Sequence, residues 1–218
     1  MLQGRPTFYL DGNPFTAPLF TTYVEDEKIY KQMADAGIRL FNFVTTCGQL
    51  VYGQHAKPSW TGPDQWDFSE MDERAHMILR ACPDALILPR IYIGAPVWWL
   101  EQNPEAVVVL ENGSTHYGEK YNDAIAPRRG PYDSIASTLW RETMAMALRK
   151  AIDHIQKSDW ADRVYGYQLS GMATEEWYPI GTDQPLLSDY SAAAQAAFRK
   201  WLKEKYTTVE NLRRSWNN

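Results

Sequence analysis

The sequence predicts an α/β protein of the (β/α)8 TIM-barrel type, of which the chain covers about the first four βα units. Strand-like and helix-like segments alternate four times, which predicts a parallel sheet with helical crossovers. The predicted strands are nearly all apolar, as expected of a sheet that is covered on both faces. Long loops rich in Trp, Asn, Gln and Glu follow the strands, whereas short loops precede them. This asymmetry is typical of a barrel whose site lies at the carboxyl ends of its strands.

A hairpin is predicted at the start of the chain, before the first βα unit. Residues 7–10 and 15–17 flank the sequence DGNP, in which Asp-Gly followed by Pro favours a tight turn. The apolar residues 17–23 then predict the first strand of the sheet. Residues 25–36 predict a helix, because acidic residues fill its first turn and Gly37 ends it.

The second βα unit follows directly. Residues 38–45 (IRLFNFVT) predict a strand, because nearly every side chain is apolar or β-branched. A polar loop rich in Gly, Pro and Trp is expected over residues 46–68. Ser69 or Asp67 is then expected to cap a helix that runs to about Ala81, with apolar residues recurring on one side.

The third unit begins with a strand over residues 85–93 that contains a proline. Pro89 has no backbone N–H to donate, so a bulge or bend is expected there. After a second polar and aromatic stretch, a long helix is predicted to begin at Asp133 or Ser134 and to end near Lys157. Its apolar residues recur at helical spacing.

The fourth unit is the last one that the chain contains. Residues 164–169 (VYGYQL) predict the fourth strand, and the loop 170–187 leads into a helix over residues 189–206. Thr208 is expected to cap a short final helix that ends near Trp216.

The length of the chain fits half of a barrel. Four units use all 218 residues, so eight would need roughly 400 residues at the same rate. Residues 1–218 are therefore expected to form the N-terminal portion of a single barrel domain. A small, open α/β domain is the alternative.

Charge and composition exclude several function classes. The net charge is -5 and the sequence pI is about 5.4, without a cluster of Lys and Arg, which argues against nucleic-acid and anionic-membrane partners. No apolar run reaches the length of a membrane span. The start MLQGRPTFYL lacks the apolar centre of a signal peptide, and cytoplasmic and exported locations both stay open, as does an oligomer.

The sequence indicates no metal or organic cofactor. Cys47 and Cys82 are not arranged as CxxC, so both are expected to be small buried hydrophobic residues. The four histidines are scattered without metal-ligand spacing, and His76 and His154 are expected on helix surfaces. No nucleotide-binding glycine motif and no serine nucleophile elbow is present.

The segment after the fourth strand is the strongest candidate for chemistry. Glu175 and Glu176 precede Trp177, and a carboxyl group packed against Trp can have a raised pKa and act as a general acid. Adjacent residues point in different directions, so only one of the two carboxyl groups is expected to face a substrate. A solvated acidic loop is the alternative.

Two further groups of residues are candidates for substrate binding. Trp98 and Trp99 follow a Pro-restrained turn after the third strand and could form a rigid wall for a sugar, or close the core beneath the loop. Tyr23, at the end of the first strand, is a possible polar contact. Asn42 and Arg90 lie within apolar strands, so each needs a partner if it is buried; a core carboxylate could pair with Arg90.

Four segments carry a resemblance to a known family. The run FRKWLKEKYTTVENLRRSW (198–216) resembles the stretch F-x-x-W-L-x-x-K-Y-x-T-x-x-x-L-N-x-x-W of family 42 glycoside hydrolases. Three weaker segments, 66–72, 96–105 and 164–169, occur in the same order as in that family. The resemblance implies a retaining (β/α)8 glycosidase, similar to β-galactosidases, that acts on an oligo- or polysaccharide without a cofactor.

The resemblance also implies the roles of the carboxyl groups. The family's acid/base is a Glu after the fourth strand, which falls on Glu176 or Glu175, and Glu176 is favoured because it directly precedes Trp. The family has Asn before its acid/base, where this chain has Glu175, and the loop is a few residues longer, so that Gly171-Met172 would align with Asn-Glu. The nucleophile, a Glu after the seventh strand, is expected beyond Asn218. The isolated chain is therefore expected to be inactive, and a non-catalytic carbohydrate-binding barrel is the alternative function.

Overall fold

The computed structural model of the protein describes residues 4, 7–10, 12–15, 18–48, 56–115, 131–172, 176–177, 179 and 186–217. The strands are β1 (Phe8–Leu10), β2 (Asn13–Phe15), β3 (Leu19–Phe20), β4 (Leu40–Phe41), β5 (Val44–Thr46), β6 (Trp60–Gly62), β7 (Gln65–Trp66), β8 (Leu86–Ile87), β9 (Arg90–Tyr92) and β10 (Gln168–Ser170). The helices are α1 (Glu27–Asp35), α2 (Ser69–Ala81), α3 (Val97–Gln102), α4 (Thr138–Lys157), α5 (Ala192–Tyr206) and α6 (Val209–Ser215).

Parallel pairing joins the strands in the order of the chain. The first group is β3-β4-β8 and the second is β5-β9-β10. Leu40 pairs with Leu86 and Val44 pairs with Arg90, so both pairs have the same offset (86 − 40 = 90 − 44). β4 and β5 therefore form one second strand, and β8 and β9 form one third strand. The prediction of an α/β protein with a parallel sheet is confirmed.

The expected irregularity at Pro89 is confirmed. The third strand is interrupted between Ile87 and Arg90, which pair with Val164 and Gln168 of the fourth strand. Residues 87 and 90 of the third strand, three apart, thus pair with residues 164 and 168 of the fourth, four apart. The fourth strand therefore contains one extra residue. Since Pro89 cannot donate a hydrogen bond, the ladder loses a bond at the place where this bulge lies.

The two faces of the sheet have different roles. Alternate residues of the second and third strands, Phe41, Phe43, Ile87, Ile91 and Ile93, join the apolar core that also contains Tyr30, Ile78, Met144 and Trp160 of the helical layer. The residues between them point to the opposite face, called here the inner face. The inner face is apolar where the strands begin, at Leu40 and Leu86. It is polar toward their carboxyl ends, where Asn42, Thr46, Arg90, Tyr92, Gln168 and Ser170 lie.

The N-terminal hairpin is confirmed, but its turn is shorter than expected. β1 pairs with β2 so that Leu10 faces Asn13, which leaves only Asp11 and Gly12 between the strands. Asn13 and Pro14 therefore belong to the second strand of the hairpin and not to the turn. Phe15 contacts Tyr165, with ring centroids 5.9 Å apart, so the hairpin covers the amino end of the fourth strand.

Several helix starts differ from the predicted ones. α4 begins at Thr138 with Ser137 as its cap, because Asp133 accepts from the Ala95 N–H and Ser134 donates to the Asp189 carboxylate, both distant in sequence. α5 begins at Ala192. α2 begins at Ser69, with Phe68 at the cap position, and the predicted residue Asp67 accepts a hydrogen bond from the Ser69 N–H at 2.9 Å. The expected cap of the last helix is confirmed: Thr208 accepts a hydrogen bond from the backbone N–H of Asn211, and α6 follows it.

Two elements lie in segments for which loops were predicted. The hairpin β6–β7 occupies part of residues 46–68, and α3 follows the third strand. Cys47 and Cys82 are buried and free, as predicted. Among the described residues, no helix has both the length and the apolar character that crossing a membrane requires.

Candidate functional site

Asn42 connects three strands on the inner face. Its side chain is fully buried, and Nδ2 donates to the carbonyl oxygen of Leu88 at 2.8 Å and to Oε1 of Gln168 at 3.0 Å. The expectation that a buried Asn42 needs partners is therefore met by the third and fourth strands. These bonds hold the Gln168 side chain in place on the inner face.

Arg90 and Tyr23 form the next polar contact. Arg90 is buried within the third strand, and its Nη1 donates to the Tyr23 hydroxyl at 3.0 Å. The guanidinium carbon also lies 5.7 Å from the centroid of the Tyr23 ring, which is a cation–π contact. Tyr23 is 40% exposed, so this pair reaches from the sheet to the surface at the carboxyl end of the first strand.

A row of three hydroxyl-bearing residues lies closer to the carboxyl ends of the strands. Thr46, Tyr92 and Ser170 are direct neighbours in the sheet, with Tyr92 in the middle. The Tyr92 hydroxyl donates to the carbonyl oxygen of Met172 at 2.9 Å and so connects the third strand to the loop after the fourth. All three residues are buried.

Trp177 lies along the edge of the fourth strand that pairs with no other described strand. The backbone N–H of Trp177 donates to the Gly171 carbonyl at 3.1 Å, and its indole Nε1 donates to the Leu169 carbonyl at 3.0 Å. A Cβ atom on Gly171 would lie 3.2 Å from the Trp177 ring, so the ring packs directly on the glycine. Met172 and Trp177 both have positive φ angles, which close this turn.

The predicted catalytic residues lie in this loop. Glu176 directly precedes Trp177 and is exposed to solvent, whereas Glu175 lies outside the described residues. The Trp177 ring is 46% exposed and covers the strand edge. Glu176 thus follows the fourth strand in an exposed loop, and its role stays a prediction.

Trp98 and Trp99 lie in α3 and not in a turn. Trp99 is only 8% exposed and belongs to the apolar core, which matches the alternative that one of the pair closes the core. Trp98 is half-buried and packs edge-on against Trp60 at 5.1 Å between ring centroids, and Trp60 stacks on Trp66 at 5.3 Å. The roles of Trp98 and Trp99 in binding a sugar stay predictions.

Sequence reasoning missed four inner-face residues: Thr46, Tyr92, Gln168 and Ser170. A usable signal was present, because side chains two residues apart on a strand point to the same face. Counting by twos from Asn42 and from Arg90 leads to Thr46 and Tyr92. Gln168 and Ser170 needed the register of the fourth strand, which the bulge shifts by one residue.

Both described histidines are paired with carboxylates, which the sequence did not indicate. His76 lies 2.9 Å from Asp159, and His154 lies 2.9 Å from Asp72 and stacks on Phe68. These contacts connect α2 to α4 and the residues after it. No group of described residues is arranged to hold a metal ion; His55 and His116 lie outside the described residues.

These features define an α/β protein with consecutive parallel strands, helices on one face, and a polar inner face at the carboxyl ends of the strands. In open and closed α/β sheets, this is the end at which ligands bind. The parallel α/β arrangement is the one that the sequence predicted, whereas the roles of the site residues stay predictions.

Comparisons with known proteins agree with this class. Residues 180–218 match the beta-galactosidase family, glycoside hydrolase family 42. The fold is similar to that of the beta-galactosidase from the psychrophilic Marinomonas ef1, at 19% sequence identity and a TM-score of 0.58, over 92% of this chain and 27% of that one. It is also similar to the cold-adapted beta-galactosidase from Rahnella sp. R3, at 17% identity and a TM-score of 0.50, over 86% of this chain and 23% of that one.

Residues 180–218 are thus similar to family 42 glycoside hydrolases, and the chain shares the fold of part of two solved beta-galactosidases. It spans about a quarter of the length of the two solved beta-galactosidases. No curated protein matches it.

Proposed function

We propose that this chain forms the first four βα units of a retaining (β/α)8 glycosidase that hydrolyses β-glycosides, with β-galactosides as the first candidate substrates. Glu176 is the proposed acid/base. The observation that supports the proposal is that Glu176 follows the fourth of four parallel strands and is exposed to solvent. The similarity to the beta-galactosidase family supports the same reaction.

The proposed chemistry needs two carboxyl groups about 5–5.5 Å apart. Protonated Glu176 would give its proton to the glycosidic oxygen while a carboxylate nucleophile attacks the anomeric carbon. Ionised Glu176 would then take a proton from the water that releases the sugar. Glu175 is the alternative acid/base, and the nucleophile is proposed to lie beyond Asn218, so the isolated chain would contain half of the catalytic pair.

Binding in this proposal uses the polar end of the inner face. Asn42, Arg90 and Tyr23 would hydrogen-bond sugar hydroxyl groups, since Asn42 and Arg90 belong to the polar part of the inner face and Arg90 contacts the partly exposed Tyr23. Trp177 offers a partly exposed ring for stacking, and Trp98 is half-buried. Trp99 would support the site from the core.

A non-catalytic carbohydrate-binding barrel or fragment is the second candidate function. Glu176 is exposed to solvent, and Glu175 replaces the Asn that precedes the family's acid/base. A binding protein would retain the polar inner face without needing either carboxyl group.

The test compares Glu176→Gln with Glu175→Gln in the complete enzyme that the proposal requires. Glu176→Gln should lower the turnover of lactose by several orders of magnitude. It should lower the turnover of dinitrophenyl β-galactoside much less, because an activated leaving group needs little acid assistance. Near-normal turnover of lactose by Glu176→Gln would contradict the assignment, and a loss confined to Glu175→Gln would move the role to Glu175. Sugar binding that neither substitution affects, without any hydrolysis, would favour the second function.

A further inference from the structure

Two residues after the fourth strand have a backbone conformation that residues other than glycine seldom adopt. Met172 and Trp177 each have a φ angle of 62°, in the left-handed region. This region costs a residue with a Cβ atom about 1–2 kcal/mol, so surrounding contacts must hold it, and such residues are concentrated at functional sites. Glu176, the proposed acid/base, directly precedes Trp177.

The hydroxyl group of Tyr92 holds the first of these residues. It donates to the carbonyl oxygen of Met172 at 2.9 Å. Tyr92 is itself fully buried and lies in the third strand, between Thr46 of the second strand and Ser170 of the fourth. The bond therefore fixes the carbonyl group of Met172 relative to three strands of the sheet.

Trp177 is held through both its backbone and its side chain. Its backbone N–H donates to the Gly171 carbonyl at 3.1 Å, and its indole Nε1 donates to the Leu169 carbonyl at 3.0 Å. The ring also packs directly on Gly171. Since successive Cα atoms are about 3.8 Å apart, these contacts keep the backbone of Glu176 close to a fixed point at the end of the fourth strand.

We propose that Tyr92 and Trp177 are positioning residues, which fix the backbone of Glu176 for proton transfer. This inference rests on the proposed function and adds a positioning role to its site. An acid/base must come within about 2.6–3.2 Å of the atom that exchanges the proton. The side chain of Glu176 is exposed, so the position of its backbone decides where the carboxyl group can reach. A displacement of about 1 Å can lower a catalytic rate roughly 100-fold.

The first measurement tests the contacts themselves on the 218-residue chain. Tyr92→Phe removes only a hydroxyl group, and Trp177→Phe removes only the indole donor while an aromatic ring remains over Gly171. Hydrogen exchange of the backbone N–H of residue 177 is followed by NMR. We expect it to become about five-fold faster in each variant, because each loses one hydrogen bond that holds this segment.

The same substitutions at two distant residues are the matched controls. Tyr165→Phe removes a hydroxyl group that lies 3.5 Å from the Tyr9 carbonyl, near the amino end of the fourth strand. Trp160→Phe removes an indole donor to Asp72 in the helical layer. Neither control should change the exchange of the residue 177 N–H.

The second measurement tests catalysis in the complete enzyme that the proposed function requires. Tyr92→Phe and Trp177→Phe should each lower kcat for lactose about ten-fold, with little change in KM. They should lower the turnover of dinitrophenyl β-galactoside by about two-fold at most, because an activated leaving group needs little acid assistance. Tyr165→Phe and Trp160→Phe should turn over both substrates normally.

The outcomes separate this inference from the proposed function. Faster exchange at residue 177, together with a loss on lactose that spares the activated substrate, supports the positioning role. Equal losses on the two substrates, normal turnover of lactose or unchanged exchange in both variants overturns it. If only Glu176→Gln loses lactose turnover, the proposed function stands and the positioning role fails. If Glu176→Gln turns over lactose normally, the proposed function fails, and the positioning role fails with it.

Discussion

The carboxylate of Glu25 and the guanidinium of Arg74 form a buried ion pair, with Oε1 and Nη1 3.2 Å apart, beside the second strand of the sheet. The first strand ends at Phe20, whose carbonyl oxygen accepts from the N–H of Asn42. Farther along, Arg74 Nη1 donates to the Val44 carbonyl at 2.6 Å, and Glu25 hydrogen-bonds the Val44 backbone. The ion pair thus occupies the backbone groups that the short first strand leaves open.

Stability should decrease as pH rises through neutrality because of Glu25. Burial is the largest influence and raises the pKa of Glu25 from 4.5 to about 7, although Arg74 acts in the opposite direction. The folded protein therefore favours the protonated form, and this contribution is complete below pH 4.5 and lost as pH rises through about 7. Its size is on the order of 3 kcal/mol.

Urea unfolding at pH 5 and at pH 8 checks this prediction. Glu25→Gln should reduce the difference in the free energy of unfolding between the two pH values. Glu73→Gln is a suitable control, because Glu73 is exposed and pairs with Arg80 at the surface. Equal pH dependence in Glu25→Gln and in the unaltered chain would contradict the raised pKa.

Removing the Arg74 side chain should destabilise the protein strongly. At pH 8, where Glu25 is ionised, Arg74→Ala leaves a buried carboxylate and the Val44 carbonyl without this donor, and breaking a buried ion pair costs about 3–5 kcal/mol. Arg80→Ala provides the comparison, since Arg80 pairs with Glu27 and Glu73 at the surface, where such pairs contribute about 0–1 kcal/mol. Similar free energies of unfolding for the two variants would show that the buried pair has no special role.

Gly48→Ala should be among the most destabilising small substitutions. A Cβ atom at this position would lie 2.1 Å from the Gly94 carbonyl oxygen and 2.5 Å from the Pro96 nitrogen, so two backbone segments would have to separate. We expect a loss of about 3 kcal/mol by urea unfolding, the upper end of the usual range for overpacked sites. Gly62→Ala is the control, because its nearest neighbour is the Gln65 side chain, which can move. A Gly48→Ala variant as stable as Gly62→Ala would contradict the close approach.

In the isolated chain, Trp177 should protect the edge of the fourth strand that no other described strand pairs with. Gly171→Ala brings a Cβ atom to 3.2 Å from the Trp177 ring and should displace the indole from the Leu169 carbonyl. Exposed strand edges promote association between chains. We therefore expect altered Trp177 indole N–H signals in NMR spectra and more self-association in sedimentation experiments.

Trp177→Phe separates the ring from its hydrogen bond. This variant keeps an aromatic ring over Gly171 but loses the donor to Leu169, so it should self-associate less than Gly171→Ala. An unchanged indole signal together with a monomeric Gly171→Ala variant would argue against an edge-protecting role.

Local patterns in the sequence determined the order and type of the main elements. Apolar runs, turn residues and helical spacing are set by neighbours along the chain, so the alternation of strands and helices, the break at Pro89 and the cap at Thr208 were predicted correctly. The cap of α4 was not predicted correctly. Asp133 is a good capping residue by itself, but its carboxylate accepts from the Ala95 N–H at 2.9 Å, across 38 residues of sequence.

Tertiary structure decided which polar groups meet. Asn42 and Gln168 are 126 residues apart in the chain, and only the register of three strands brings their side chains to 3.0 Å. In the same way, α3 directs Trp99 into the core and leaves Trp98 against Trp60, although the two are adjacent in sequence. Periodicity in the sequence indicates which face of a helix or strand is apolar. Pairing between strands determines which side chains touch, and the candidate site depends on this pairing.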